Sequence, residues 1–413
     1  MRNAFVLAAA MLALAACGGG TTHAGSVTAS TTAAPTTAPA PSTSSTPAPT
    51  TTVPALASGT EGTLAQVPWS SVGPGWLLAE WSPTTATEPG SGTAPAPAAT
   101  TLYLVDPEGG RYAITTFPPS TFDAPGQLDA WSGDGRRALF SSSVSTSGGS
   151  GLGTTITEVD LTTGDSHSFT LAGSAQDIGY TRPTGAAIIA AIQSDGIPAT
   201  IERVDPTGAA QVTYPASFPG AGTTTSGFLY SPDGTELVLA TTLGLDLVSN
   251  SGQPITALPI PANAAYCAPV RWWDSATILA ECATTPPRLW LVPVSGAAPT
   301  ALTTTTGQGE DQGDEDAWML PSGTFLQDAG PCGVQYLAKL QPDGTTTPVS
   351  VPGASGGSIV VAGAFGSRLA IRATLACGPG ETLAWYDPGA DTLTPLLGPP
   401  VNGGSVSDAL LFP

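Results

Sequence analysis

Apolar positions recur along this chain in short alternating runs, each closed by a turn bearing glycine or proline. Seven segments share one pattern: an apolar strand, a tight turn, then a threonine-rich strand. They are LYLVDPEGG (102–110), ITEVDLTTG (156–164), IERVDPTG (201–208), LDLVSNSG (245–252), LWLVPVSG (289–296), LAKLQPDG (337–344) and LAWYDPGAD (383–391). Aligned at Asp106, Asp160, Asp205, Ser249, Pro293, Gln341 and Asp387, they stand 54, 45, 44, 44, 48 and 46 residues apart. Each reads as a hairpin, with period-two alternation in its first strand, as at Leu102/Leu104 and Leu289/Leu291.

A second hairpin interleaves with the first. It reads AWSGDGRRALF (130–140), GYTRPTGAAII (179–189), LYSPDGTELVL (229–239), RWWDSATIL (271–279), AWMLPSGTFL (317–326) and GAFGSRLAI (363–371). An aromatic ends one strand, a turn follows, and an apolar strand leaves. In Ser231-Pro232-Asp233-Gly234 the proline presets φ for a type I turn and the glycine takes the left-handed position that closes it. An earlier copy is read in VPWSSVGPGWLLAEW (67–81), which makes seven. Four strands every 40–45 residues is the period of β-propeller blades. The expected fold is therefore all-β, a seven-bladed β-propeller of four-stranded blades. A tandem of β-sandwiches would impose no seven-fold period. The last residues, SDALLFP (407–413), copy EDAWMLP (315–321). A lone opening strand at the chain end is expected to pair into the first blade and close the ring.

The W-S-x-D-G and Y-S-P-D-G turns at Trp131–Gly135 and Tyr230–Gly234 resemble those of the TolB-like propeller family, relatives of WD-repeat propellers. The resemblance covers roughly residues 64–413 and is eroded outside blades two and four. It implies a seven-bladed ring with each blade's inner strand near a central channel. It implies little about ligand, because that family serves many roles.

The chain start has a different character. Arg2 precedes an apolar run, Ala4–Ala16, with no charge, and small residues follow. This pattern is that of a secretory signal. Thirteen apolar residues are too few to span a hydrocarbon core, which needs about 20 in a helix. Leu14-Ala15-Ala16-Cys17 resembles the lipobox of bacterial lipoproteins, which implies cleavage before Cys17 and its lipidation. An ordinary signal peptide cut nearby is the alternative. From Gly18 to Thr60 there is no Asp, Glu, Lys or Arg, only a Thr/Ala/Pro/Ser/Gly-rich stretch that cannot offset the entropy of ordering. It is expected to be a disordered tether reaching roughly 35–40 Å as a flexible coil. The domain reading is residues 1–16 signal peptide, 17–60 lipidated cysteine and tether, 61–413 propeller.

Charge narrows the partners. With 31 acidic against 11 basic residues the formal charge is −20. Such a surface opposes nucleic acid, whose binding relies on cationic side chains at phosphates. It also opposes a peripheral hold on anionic lipid, so membrane attachment falls to the lipid on Cys17. The expected location is the extracytoplasmic face of a bacterial membrane, as a monomer. In that oxidising compartment Cys267, Cys282, Cys332 and Cys377 read as disulfides, and four cysteines allow three pairings. Cys267 and Cys282 bracket a short hairpin, which favours bonding them to each other and Cys332 to Cys377; Cys282–Cys332 is the competing choice.

No catalytic set emerges. The two histidines are His23, in the tether, and His167, among exposed-type positions in SHSFTL. No HExxH, P-loop or dinucleotide fingerprint is present. The expectation is no cofactor. Glu310, Asp311, Asp314, Glu315 and Asp316 could offer oxygen ligands to Ca²⁺, without EF-hand spacing; a solvated acidic connection between blades is the plainer reading. Tryptophans at strand positions read as core, except the adjacent pair Trp272-Trp273, which cannot both bury on one face. The functional reading is a non-catalytic binding or scaffold module for an envelope protein or ligand. The alternatives are a glycan or small-ligand sensor using channel aromatics, and a metal-dependent propeller hydrolase.

Overall fold

A computed structural model of the protein describes residues 56–83, 98–119, 126–145, 152–193, 199–214, 224–304, 312–375 and 380–413. Cys17, the signal sequence and nearly all of the tether lie outside them, as do Glu310, Asp311 and Cys377. The strands form seven sheets arranged as the blades of a propeller. Two short 3-10 turns, Leu64–Gln66 and Pro331–Gly333, are the helical elements among the described residues. None of the described helices is long and apolar enough to cross a membrane.

Blades two to seven each take four consecutive strands, beginning at the innermost strands Gln127–Trp131, Ser174–Tyr180, Thr224–Tyr230, Cys267–Asp274, Asp314–Leu320 and Ala354–Phe365. Blade one is built from both ends of the chain. Its innermost strand is Ser405–Leu411, paired antiparallel with Leu77–Ser82, followed outward by Thr100–Val105 and Arg111–Phe117. A short parallel strand, Glu61–Thr63, adds to the outer edge. The ring therefore closes as the SDALLFP copy implies. One segment differs from expectation. Residues 67–76 form no strand; they lead into Leu77–Ser82, and the place of a blade-opening strand is taken by Ser405–Leu411. The aromatic that ends it is Phe412, which meets Trp131 edge-on at 5.0 Å.

Both hairpin motifs owe their aligned residues to turn chemistry. At Asp106, Asp160, Asp205 and Asp387 the carboxylate accepts the backbone N–H two residues on, at 2.8–2.9 Å. At Ser132 and Ser231 the hydroxyl donates to Asp134 and Asp233 at 2.6 Å and accepts a backbone N–H five residues on. Gly135 and Gly234 close those turns at φ of +74° and +73°.

The core is divided into seven clusters, one at each blade-to-blade seam. The second strands are the reason. Leu77 and Ala79 face blade seven while Leu78 faces blade two. Leu237 and Leu239 likewise face blade three while Val238 and Ala240 face blade five. Strands covered on both sides read as continuous apolar runs, and these do. Cys267 stands directly opposite Cys282 on the first two strands of blade five, and the two are joined by a disulfide. The backbone of Cys332 lies in the turn Pro331–Gly333; its proposed partner Cys377 is outside the described residues.

Candidate functional site

A bulge recurs in every blade. The pairing of innermost with second strand slips between Glu80 and Trp81, Leu128 and Ala130, Ile189 and Ala191, Thr224 and Phe228, Pro269 and Arg271, Asp314 and Asp316, and Val361 and Gly363. An extra residue twists the strand and re-aims the side chains around it. Polar groups gather at these slips.

At blades five and six the slip brings Arg271 to Asp316. Arg271 Nε donates to Asp316 Oδ1 at 2.7 Å, and Nη2 to Oδ2 completes a two-armed pair. The guanidinium lies 4.7 Å from the Trp318 ring centre, a cation–π contact. Arg271 and Trp318, with Trp272, Trp273, Met319, Gly363, Leu411 and Phe412, line a cavity of about 430 Å³. It sits where the innermost strands of blades five, six, seven and one turn back. Trp272 leans toward blade four, its Nε1 donating to the Tyr230 carbonyl at 2.8 Å. Trp273 leans toward blade six. The adjacent tryptophans thus go to opposite sides of one strand and both border the cavity. Met319, 56% exposed, adds a soft apolar contact.

A second group stands where blades one, two and seven meet. Glu80 is directly opposite Asp408 across the pair that closes the ring. Ser407 Oγ donates to Glu80 Oε2 at 3.3 Å. Glu80 Oε1 and Asp129 Oδ2 are buried without a hydrogen-bond partner. Arg372, on the second strand of blade seven, donates to the Ser407 carbonyl, lies 3.5 Å from Asp408 Oδ1, and pairs with Glu381 at 2.8 Å. Burial, reinforced by the Asp408 charge, pushes Glu80 up to about 8. Burial also pushes Asp129 up to about 7, with Asp408 and Asp177 adding to it against a Ser141 hydrogen bond. Asp408 is raised by burial in spite of Arg372. Near neutral pH this group holds protons that exposed carboxylates would have lost.

The acidic run read as a connection between blades is, from Asp314 on, the start of an innermost strand. Its carboxylates have partners: Asp314 pairs with Arg288 at 3.2 Å, Gln335 donates to Glu315 at 2.6 Å, and Asp316 holds Arg271. Among the described residues, no group of three or more His, Cys, Asp or Glu side chains is arranged to hold a metal ion. His167 is half-exposed on the outermost strand of blade two, 3.9 Å from Glu158.

Arg271, Glu80, Asp129, Arg372 and Asp408 carry no motif that a sequence reading would single out. One signal exists. Asp129-Ala130-Trp131, Asp316-Ala317-Trp318 and Asp408-Ala409-Leu410 repeat an Asp-Ala step at the slip of three innermost strands.

No protein-family model matches this sequence, and no curated protein matches it. Among solved structures, a 6-phosphogluconolactonase-like protein from Bacteroides fragilis is similar at a TM-score of 0.45 and 15% identity, covering 79% of this chain and 95% of that one. Oligogalacturonate lyase from Vibrio parahaemolyticus is similar at 0.43 and 12%, covering 78% and 85%. Neither activity is carried over, and what the chain itself establishes is a seven-bladed β-propeller with a tryptophan-walled cavity at one end of its inner strands.

Proposed function

We propose that this chain is a non-catalytic binding lipoprotein of TolB-like type, which takes a glycan or a small ligand with a flat apolar face at the Trp272/Trp273/Trp318 cavity. The cavity carries the reading. Its volume of about 430 Å³ falls in the range of small-molecule sites, and a folded protein partner could not enter it. Indole faces supply rigid apolar area at little entropic cost. Arg271, held in place by Asp316, sets a fixed donor beside them, suited to ligand hydroxyls, and the Asp316 counter-charge favours a neutral ligand. Lipidation at Cys17, the tether through Thr60 and an extracytoplasmic location complete the proposal and rest on the sequence pattern. Intrinsic tryptophan fluorescence would be followed during titration with neutral and acidic oligosaccharides. Saturable quenching that weakens at least tenfold in Trp273→Ala is expected. Absence of saturation across the panel would overturn the reading.

A propeller hydrolase is the second reading, favoured by the buried carboxyls Glu80, Asp129 and Asp408. Turnover of a lactone or glycoside that disappears in Asp129→Asn would support it over simple binding.

A further inference from the structure

Glu80 and Gln327 hold the same place in two blades. Each lies on a second strand, directly opposite the aspartate that follows the slip, Asp408 and Asp316 respectively. Both are buried, at 4% and 5% exposure. In blade six the amide ties two blades together. Gln327 Nε2 donates to the carbonyls of Ile359 at 2.9 Å and Tyr336 at 3.2 Å, and Oε1 accepts the Val361 N–H at 2.8 Å. Leu139, Leu239, Leu279 and Ala370 occupy the corresponding place in blades two, four, five and seven, where no hydrogen bond is possible.

A carboxylic acid has the shape of that amide. Protonated, it has one donor and one acceptor region; ionised, it only accepts. Glu80 already accepts from Ser407 through Oε2, while Oε1 is buried and unpartnered. The groups facing it come from each neighbouring element. Asp408 and Ser407 project from the closing strand, Asp129 from blade two and Arg372 from blade seven. Leu102 stands opposite on the third strand of blade one. Asp177 acts on Asp129 and Glu381 pairs with Arg372 one step further out. Glu80 and Asp408 therefore share one guanidinium that Glu381 already engages, and Asp129 adds a further carboxyl beside them. Like charges directly opposite on paired strands repel, and an ionised carboxylate without a partner is costly to bury.

We infer that Glu80 is protonated in the closed ring, and that loss of this proton releases the closing strand Ser405–Leu411, so that ring closure is a proton-dependent latch. Asp408, opposite Glu80, also reaches the next blade by accepting the Leu128 N–H, so the latch spans blades one and two. The sign is fixed by linkage. A carboxyl at about 8 when folded and 4.5 when free contributes stability that is complete below 4.5 and lost as pH rises through 8.

The test is hydrogen exchange on the full chain at pH 6 and pH 9, corrected for the chemical rate. The segment 405–412 is compared with the matching segment 314–320 of blade six. In the wild type, protection of 405–412 is expected to fall at least tenfold more than that of 314–320. In Glu80→Gln the two segments should respond alike. Unchanged protection of 405–412 in the wild type, or an equal selective loss in Glu80→Gln, would overturn the latch. Asp408→Asn supplies a second arm if Glu80→Gln fails to fold. It removes the opposing charge, so it should shrink the selective loss several-fold, and a loss of wild-type size would likewise refute the inference.

Discussion

Arg288 Nη1 lies 3.2 Å from Asp314 Oδ2, with side chains 5% and 2% exposed, so an ion pair almost sealed from water bridges blades five and six. Thr303 Oγ1 donates to the same carboxylate. Among the described residues, the seam they cross has the smallest apolar cluster of the seven, with Leu279, Leu289, Ala317 and Leu326 as its buried members. Electrostatic partners substitute there for packing that other seams have. Asp314→Asn removes a charged partner from a buried guanidinium. Urea unfolding should show a loss of about 3 kcal/mol, the lower end for breaking a buried pair. The double variant Arg288→Met/Asp314→Leu should lose less than Asp314→Asn alone. A loss under about 0.5 kcal/mol for the single variant would mean that water reaches the pair.

The disulfide Cys267–Cys282 closes a loop of 15 residues within blade five. Chain entropy alone assigns about 3 kcal/mol to a loop of this size. Cys267→Ala/Cys282→Ala should shift the urea midpoint by a corresponding amount, and added reductant should then have no effect through this bond. Equal midpoints for wild type and variant would show that the innermost strand of blade five holds its register without the bond.

Gly234 and Gly296 separate two reasons for glycine. Both are left-handed, at φ of +73° and +77°. A Cβ on Gly234 would lie 2.0 Å from the Arg182 carbonyl oxygen of blade three, whereas one on Gly296 would meet nothing. Gly296→Ala should cost about 1 kcal/mol, the price of the left-handed conformation. Gly234→Ala should cost clearly more and lower the thermal midpoint further. Equal midpoints would show that the turns of blades three and four can part without consequence.

Stability should peak in mildly acidic solution. Asp129, held at about 7 by burial, contributes stability that is complete below 3.8 and lost as pH rises through 7. The turn carboxylates of Asp160, Asp205, Asp233, Asp343 and Asp387 have the opposite sign. Hydrogen bonds lower them, within the turn for the first four and chiefly from Ser367 for Asp387, so their contribution is present above 3.8 and fades as pH falls toward their folded values. A midpoint-versus-pH curve should fall on both sides, and Asp129→Asn should flatten the alkaline side alone. An unchanged alkaline slope in that variant would count against a buried proton on Asp129.

The ring could be read from the sequence because its cause is local and repeated. Turn residues such as Asp205 and Ser231-Pro232-Asp233-Gly234 act within five residues of themselves, and their spacing gives the blade period directly. The closing strand was legible for the same reason, as a copy of 315–321. Residues 67–76 mislead because their aromatics imitate a blade-opening strand whose place is filled from the other end of the chain. The carboxyl group around Glu80 escapes local reading altogether. Asp129, Arg372, Glu381 and Asp408 come from three blades, and only ring closure brings them to Glu80. The cavity was half legible. Alternation says that Trp272 and Trp273 part company, but not that both border one opening shared with the innermost strands of blades six, seven and one.

The short strand Glu61–Thr63 gives the molecule a sacrificial fastening. It runs parallel to Arg111–Phe117 at the outer rim of blade one, while closure depends on Ser405–Leu411 at the axis of that blade. A pull arriving along the chain ahead of Glu61 therefore loads the bonds of Gly59 and Thr60 to Gly109 and Arg111, and then three residues of edge pairing. Those bonds can peel and re-form without disturbing the antiparallel seam inside, so the rim acts as a mechanical fuse and the load is shed before it reaches the bonds that keep seven blades in a circle.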